Sequence, residues 1–270
     1  MAETKTIRAL ERGLDVMRAL EGQQAASLND LYLTTGLPRP TLLRILLTLE
    51  NAGIVRRGIG DGLYRSTFGL QRLGGGLDEF DHLAEVAAPL LDALCQQVKW
   101  PSDLIVMNHE LGDCMEIKET SRPNSPFTIN RDHIGHLIAI PQSAVGRAYL
   151  AFCPEAERDQ ILSVLRASPK PANRLVRAAQ RFDAVLVQVR KDGYATREPG
   201  FVGGDYATGR LYDDGIAAIA VPLRDGDAVY GCINLVWLRA AMTEADFVVR
   251  HLETLQATAA QITAAYTAVA

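Results

Sequence analysis

Apolar residues recur at helical spacing along the first seventy positions, and the gaps between them carry residues that end helices. Ile7, Leu10, Leu14 and Met17 mark a first amphipathic helix that stops near Gly22. Ser27 stands where an N-cap belongs, with Asp30 three positions on. A short helix is expected from there to Thr35, closed by Gly36 in left-handed geometry. Pro38 and Pro40 suit the first turn of the next helix, because proline's missing N–H is not needed there. That helix runs to about Ala52. At about 100° per residue it sets Leu42, Ile45, Leu46 and Leu49 on one face and Thr41, Arg44, Thr48 and Asn51 on the other. Leu43 and Leu47 flank the two faces, so the helix is more apolar than a solvated one should be. After Gly53, the runs Ile54–Arg57 and Leu63–Ser66 read as two strands around the turn Gly58-Ile-Gly-Asp-Gly.

Beyond Thr67 the pattern changes. Gly69, Gly74, Gly75 and Gly76 should interrupt or loosen any helix, which places a domain boundary near residue 76. The expected division is a winged helix-turn-helix domain at 1–67, a linker at 68–80 and a second domain at 81–270. A helix is predicted over His82–Val98, with Pro89 as a kink. Strands follow at 103–109 and 114–120 around a Glu-Leu-Gly-Asp turn, then helical periods at 144–152, 155–167 and 175–192, the last ended by Gly193. Gly215–Leu223 and Val229–Leu238 form a hairpin at Asp225-Gly-Asp, and Thr243 caps a final helix reaching Ala265 or beyond. Strands at both ends with helices between predict an α+β domain, an antiparallel sheet covered by helices.

Composition narrows the class. About half of the 270 residues are apolar and 22% are charged, as in a soluble globular chain. No run approaches the roughly 18 uninterrupted apolar residues of a membrane-spanning helix. Met1-Ala-Glu-Thr-Lys-Thr lacks the apolar core of a signal peptide, so a cytoplasmic location and no membrane partner are expected. Cys95, Cys114, Cys153 and Cys232 form no C-x-x-C pair and read as buried reduced thiols. The net charge of −4 hides a local bias: Arg39, Arg44, Arg56, Arg57 and Arg65 face only Glu50 and Asp61 between positions 37 and 65.

That bias gives the first candidate site. A helix whose outer face is short, polar and positive fits the DNA major groove, which makes Arg39, Thr41, Arg44 and Thr48 candidates for contacts to bases and phosphates. A basic hairpin directly after it is a wing, with Arg56, Arg57 and Arg65 placed for a flanking backbone or minor groove. Gly58-x-Gly60 has no helix N-terminus behind it and is not a phosphate loop. In the second domain, Ser143-Ala144-Val145-Gly146 opens a helix with small residues that leave backbone N–H groups for an anion, unless Ser143 is a plain cap. Arg131, in a polar loop, is the natural fork for a carboxylate if it points inward. Cys232, Asn234 and Val236 share one face of their strand, where Asn234 serves equally well as a core amide. Trp100, Phe127, Tyr194 and Trp237 are candidates for an aromatic wall, although aromatics at such positions are more often simple core. His133 and His136 are three apart, but no helix is expected there and no partner ligand is evident, so neither a metal nor a cofactor is assigned. The hydrolase, zinc-protease and nucleotide-hydrolysing templates are missing. The alternatives to a ligand-responsive DNA-binding protein are a thiol enzyme and a DNA-binding protein whose second domain only oligomerises.

Arg12-Gly-Leu-Asp-Val-Met, Gly36-Leu-Pro-Arg-Pro-Thr-Leu-Leu-Arg-Ile-Leu-Leu-Thr-Leu and Gly53-Ile-Val-Arg-Arg resemble the IclR family of transcription regulators. The likeness continues in Ala144–Phe152, Arg190-Lys-Asp-Gly-Tyr, Ile216–Leu223 and Gly231-Cys-Ile-Asn-Leu-Val, nearly the whole chain. Trp100-Pro-Ser-Asp, Leu150-Ala-Phe-Cys-Pro-Glu and Cys232-Ile-Asn-Leu-Val look most like the MhpR-type branch, which activates aromatic-acid catabolism. The resemblance implies a GAF-like effector domain joined through a linker helix that helps form the dimer. It implies a pocket where the 142–146 stretch holds a ligand carboxylate. The partners it implies are a double-stranded DNA operator, a small organic acid such as an aromatic carboxylate, and a second copy, as homodimer or dimer of dimers.

Overall fold

The computed structural model describes every residue except 1–4, 24, 74–78, 128, 130–133, 202, 205, 211 and 269–270. The chain divides into two compact units, Met1–Leu77 and Asp78–Ala270. Gly74, Gly75 and Gly76, expected to loosen the linker, lie outside the described residues.

The first unit runs α1 (Arg8–Glu21), α2 (Leu28–Thr35), α3 (Arg39–Asn51), β1 (Val55–Arg57), β2 (Tyr64–Ser66) and α4 (Phe68–Leu73). A full reciprocal cap starts α2: Ser27 Oγ accepts from the Asp30 N–H at 3.2 Å, and the Asp30 carboxylate accepts from the Ser27 N–H at 2.8 Å. Gly36, at φ 66°, then turns the chain into α3. The core is Val16, Leu20, Leu31, Leu42, Leu46, Val55 and Tyr64. The period-3.6 signal located α1 but not its inner face. Val16, Ala19 and Leu20 are the buried residues, whereas Ile7, Leu10 and Leu14 are exposed. The β1–β2 hairpin gains a third member where Ala26 bridges to Tyr64, which ties the wing to the entry of α2. Gly69 does not interrupt α4. It serves close approach instead, since a Cβ there would lie 2.1 Å from the Gly53 carbonyl oxygen.

The second unit begins with α5 (Glu79–Val98), which runs through Pro89 without ending. The sheet strands are β3 (Asp103–Met107), β4 (Cys114–Thr120), β5 (Leu137–Ala139), β6 (Ala195–Thr196), β7 (Ile216–Asp225) and β8 (Ala228–Leu238). Between them lie α6 (Ala144–Phe152), α7 (Glu155–Ala167) and α8 (Ala179–Asp192), and α9 (Glu244–Thr267) follows. The sheet order is β5-β4-β3-β8-β7-β6, antiparallel throughout. Alternation along β8 assigns its faces. The Cys232 thiol meets the Val145 carbonyl of α6, while Trp237 stacks on Phe247 of α9 at 3.8 Å between ring centroids. The helix expected from 175 starts later, because Pro171–Arg177 forms a 3-10 turn and Ala178 leaves helical geometry at φ −86°, ψ 68°. Strands β5 and β6, of three and two residues, are too short to show alternation.

Replacing Ser27 with Ala removes one half of the α2 cap and should lower stability of the first unit by about 1 kcal/mol. Thermal or urea unfolding followed by circular dichroism reads this loss directly.

Candidate functional site

Each unit carries one candidate site. On α3, Leu42 and Leu46 are buried while Arg44 and Thr48 point to solvent, and Thr41 is half-buried. The Thr48 hydroxyl donates back to the Arg44 carbonyl at 2.8 Å, leaving its methyl outward. Arg39 donates to Asn29 Oδ1 at 2.9 Å and lies over the Tyr32 ring, which joins the start of α3 to α2. In the wing, Arg56 is exposed. Arg57 donates to the Gly62 carbonyl at 3.0 Å and lies over Tyr64. Arg65 grips the Asp61 carboxylate through both terminal nitrogens, at 3.1 and 2.5 Å, and this pairing holds the Asp61 carboxyl far below its ordinary value. The seven residues singled out for DNA therefore differ in kind. Arg44 and Arg56 have no ion-pair partner among the described residues, whereas Arg65 carries its own counter-ion.

The second unit encloses a cavity of about 310 Å³ between the sheet and the start of α6. Its apolar walls come from Leu137–Ala139 of β5, Ile216 and Ala218 of β7, and Val236 of β8. The first turn of α6 contributes Ser143, Ala144 and Val145. Phe201 and Tyr206 supply the aromatic rings, and none of Trp100, Phe127, Tyr194 and Trp237 is in the lining. Trp100 instead stacks on Phe127 at 4.3 Å, Trp237 packs against α9, and Tyr194 lies away from the lining. Gly146 and Cys232 do not reach the cavity. Gly146 lies so close to the Ile140 backbone that a Cβ would approach its carbonyl oxygen to 2.2 Å, and its N–H is taken by the Ser143 cap at 3.0 Å. Arg131 and His133 lie outside the described residues, while His136 lines the cavity.

Three cations that the sequence reading passed over also line it: Arg122, Lys170 and Arg197. Each is held by an acid. Arg197 is bidentate to Asp214 at 3.0 and 2.9 Å and caps the Ile216 carbonyl at 2.8 Å. Lys170 pairs with Asp113 at 3.1 Å and sits 4.0 Å above the Tyr206 ring centre, while the Tyr206 hydroxyl donates to the Asp113 carbonyl at 2.9 Å. Burial, and after it the Asp113 carboxylate, push the Tyr206 hydroxyl up to about 12. Arg122 forks onto Asp103 at 2.9 and 2.8 Å. Asp103 also accepts from Thr120 at 2.7 Å and from the Asn234 amide at 3.0 Å, and its own N–H donates to Asn234 Oδ1 at 2.7 Å. Asn234 is thus a satisfied amide and a lining residue at once. Burial alone would raise the Asp103 carboxyl, but the Arg122 charge and the surrounding donors outweigh it and hold it below its ordinary value. Sequence alone gave no signal for these cations, because their acids lie tens of positions away or within loops.

All four cysteines are buried. Burial pushes the Cys114 and Cys153 thiols up to about 12 and Cys232 well above its ordinary value, which opposes the thiolate that a thiol enzyme would need. No group of metal-ligating side chains forms among the described residues, and no helix there is long and apolar enough to cross a membrane.

Residues 9–58 match the model of the IclR helix-turn-helix domain, and residues 79–264 match that of the bacterial transcriptional regulator IclR C-terminal domain. The glycerol operon regulatory protein of Streptomyces coelicolor is 27% identical over 222 residues, 82% of this chain and 80% of that protein. An IclR homolog from Microbacterium hydrocarbonoxydans, solved with 4-hydroxybenzoate, shares 22% identity at a TM-score of 0.54, covering 96% of this chain and 99% of that one. The IclR of Thermotoga maritima shares 18% at a TM-score of 0.54, covering 97% and 99%. At these identities the solved structures establish a shared fold.

The Asp103 network makes stability depend on acid in one direction. Its contribution is complete above the unfolded value near 3.8 and is lost as pH falls through the lower folded one. Asp103→Asn should remove this part of the acid sensitivity below about pH 4. At neutral pH it removes the carboxylate onto which the buried Arg122 forks, at a cost of about 3–5 kcal/mol. Urea unfolding across pH measures both effects.

Proposed function

The chain belongs to the IclR family of transcription regulators, and we propose that it reads its operator through α3 and the wing while a small organic acid fills the cavity. It is a DNA-binding regulator with an effector-binding domain. The observation that carries the DNA-reading part is the outward row of α3, with Arg44 and Thr48 exposed opposite the buried Leu42 and Leu46. Arg39 and Thr41 extend this row toward the helix start, and Arg56, Arg57 and Arg65 sit on phosphates beside it. The exposed Leu10 and Leu14 of α1, with Ile7 at its N-cap, form an apolar row that suits a second copy, which favours a homodimer or dimer of dimers as the working species.

For the sensor, the first turn of α6 offers its positive end to a carboxylate, with Arg122 and Asn234 on the same cavity. An apolar cavity of about 150 Å³ is enough for a benzene ring. The space here is about 310 Å³, which fits a ring bearing polar substituents. The likeness to MhpR-type regulators and the 4-hydroxybenzoate bound to one relative make aromatic carboxylates the first class to screen.

Arg44→Ala should cost about 1–3 kcal/mol on the operator and relax preference at one base pair. Arg56→Ala should weaken all sequences alike and reduce the salt slope by about one. Parental binding by both variants would remove α3 and the wing from the interface. In a thermal-shift screen of aromatic and short-chain acids, a true effector at a hundredfold excess over its Kd should stabilise the protein by about 2.7 kcal/mol. A second domain that only oligomerises would answer to none of them.

A further inference from the structure

Two leucines on α3 are explained neither by its core packing nor by its polar row. Leu42 and Leu46 are sealed at 0% and 1% exposure, whereas Leu43 and Leu47 keep 47% and 58%. Around the helix, Leu47 lies about 60° and Leu43 about 100° from Arg44, on the side away from Thr41 and Thr48. One turn apart, they form a continuous strip. Across its width the outer surface of α3 therefore runs from Thr41 and Thr48, through Arg44 and Asn51, to Leu47 and Leu43.

We propose that Leu43 and Leu47 are the apolar half of the base-reading surface and select operators that place thymine methyl groups against them. The inference rests on α3 being the helix that enters the groove. In the major groove the C5-methyl of thymine is the apolar group that distinguishes one base pair from the others. A helix seated so that Arg44 reaches a base edge brings the adjacent leucines over the neighbouring base pairs. A protein partner on the same strip would border Arg44 and exclude DNA from it, so the continuity of the strip with the polar row favours DNA as occupant. The leucines also complement the polar row chemically. Arginine reads hydrogen-bonding edges, and leucine reads the methyl that those edges lack.

The test uses the full-length protein and duplexes it enriches from a random-sequence pool. Thymines in an enriched duplex are replaced one at a time by uracil, which keeps every hydrogen-bonding edge and removes only the methyl. Affinity is read by fluorescence anisotropy at fixed salt. One or two replacements should each weaken parental binding about fourfold, the size expected for one buried methyl. Leu43→Ala and Leu47→Ala should abolish that penalty, Leu47→Met should keep it, and Arg56→Ala should leave it unchanged. Uracil without effect at every position, or a penalty that persists in both alanine variants, overturns the proposal while leaving Arg44-dependent recognition intact. A change of oligomeric state in the alanine variants by analytical ultracentrifugation overturns it in favour of a protein contact. If no duplex is enriched, the assignment of α3 to the groove falls, and the proposal with it.

Discussion

A carboxylate sealed from water must be satisfied on every side, and the second unit is assembled around one such group. Asp103, wholly buried, opens β3. It accepts from Thr120 at the end of β4, from Arg122 in the turn beyond, and from Asn234 in β8. The β3–β8 ladder pairs only Leu104 with Ile233 and Ile105 with Cys232. Side-chain and loop bonds carry the joint further, through the Asp103 N–H to Asn234 and the Val236 N–H to the Pro101 carbonyl at 3.0 Å. Since Arg122 and Asn234 also line the cavity, its floor and the central seam of the sheet are one network.

The same economy governs the rest of the cavity. Arg122, Lys170 and Arg197 come already paired with Asp103, Asp113 and Asp214. These three therefore present no bare positive charge to the cavity. Its polar lining includes oriented donors fixed by their acids, together with the start of α6. Such a lining discriminates by shape and by where hydrogen bonds are offered more than by net charge, because an anion placed wrongly meets a carboxylate behind each cation. The wing follows similar logic at Arg65 and Asp61, while Arg44 and Arg56 remain open to phosphate and bases.

Much of this architecture was legible in the sequence where local chemistry decides. The Ser27–Asp30 cap, Gly36, the 3.6 period of α3 and the Gly226 hairpin all act within a few residues, and each element stands where these signals put it. The face that α1 buries was not legible, because Ile7, Leu10 and Leu14 obey the helical period just as Val16 and Leu20 do, and periodicity alone cannot tell a core from an outward apolar row. Gly69 looked like a breaker and is a point of close approach, a distinction that needs the Gly53 carbonyl in view. The cavity was half legible. Ser143 to Val145, Asn234 and Val236 follow from capping and alternation, whereas Gly146 and Cys232, expected on the same grounds, fall short of the lining. Lys170 and Arg197 belong to it only through Asp113 and Asp214, partners that sequence distance conceals.

The burial of all four cysteine thiols has a practical corollary. Cys95 is sealed in the α5 packing, and Cys114, Cys153 and Cys232 lie in the interior of the second unit. Mild oxidants and alkylating reagents act on exposed thiolate, which the folded second unit withholds. Its thiols are therefore shielded from the redox state of their surroundings, and the rate at which a thiol reagent labels them becomes a clock for opening of that unit, independent of DNA.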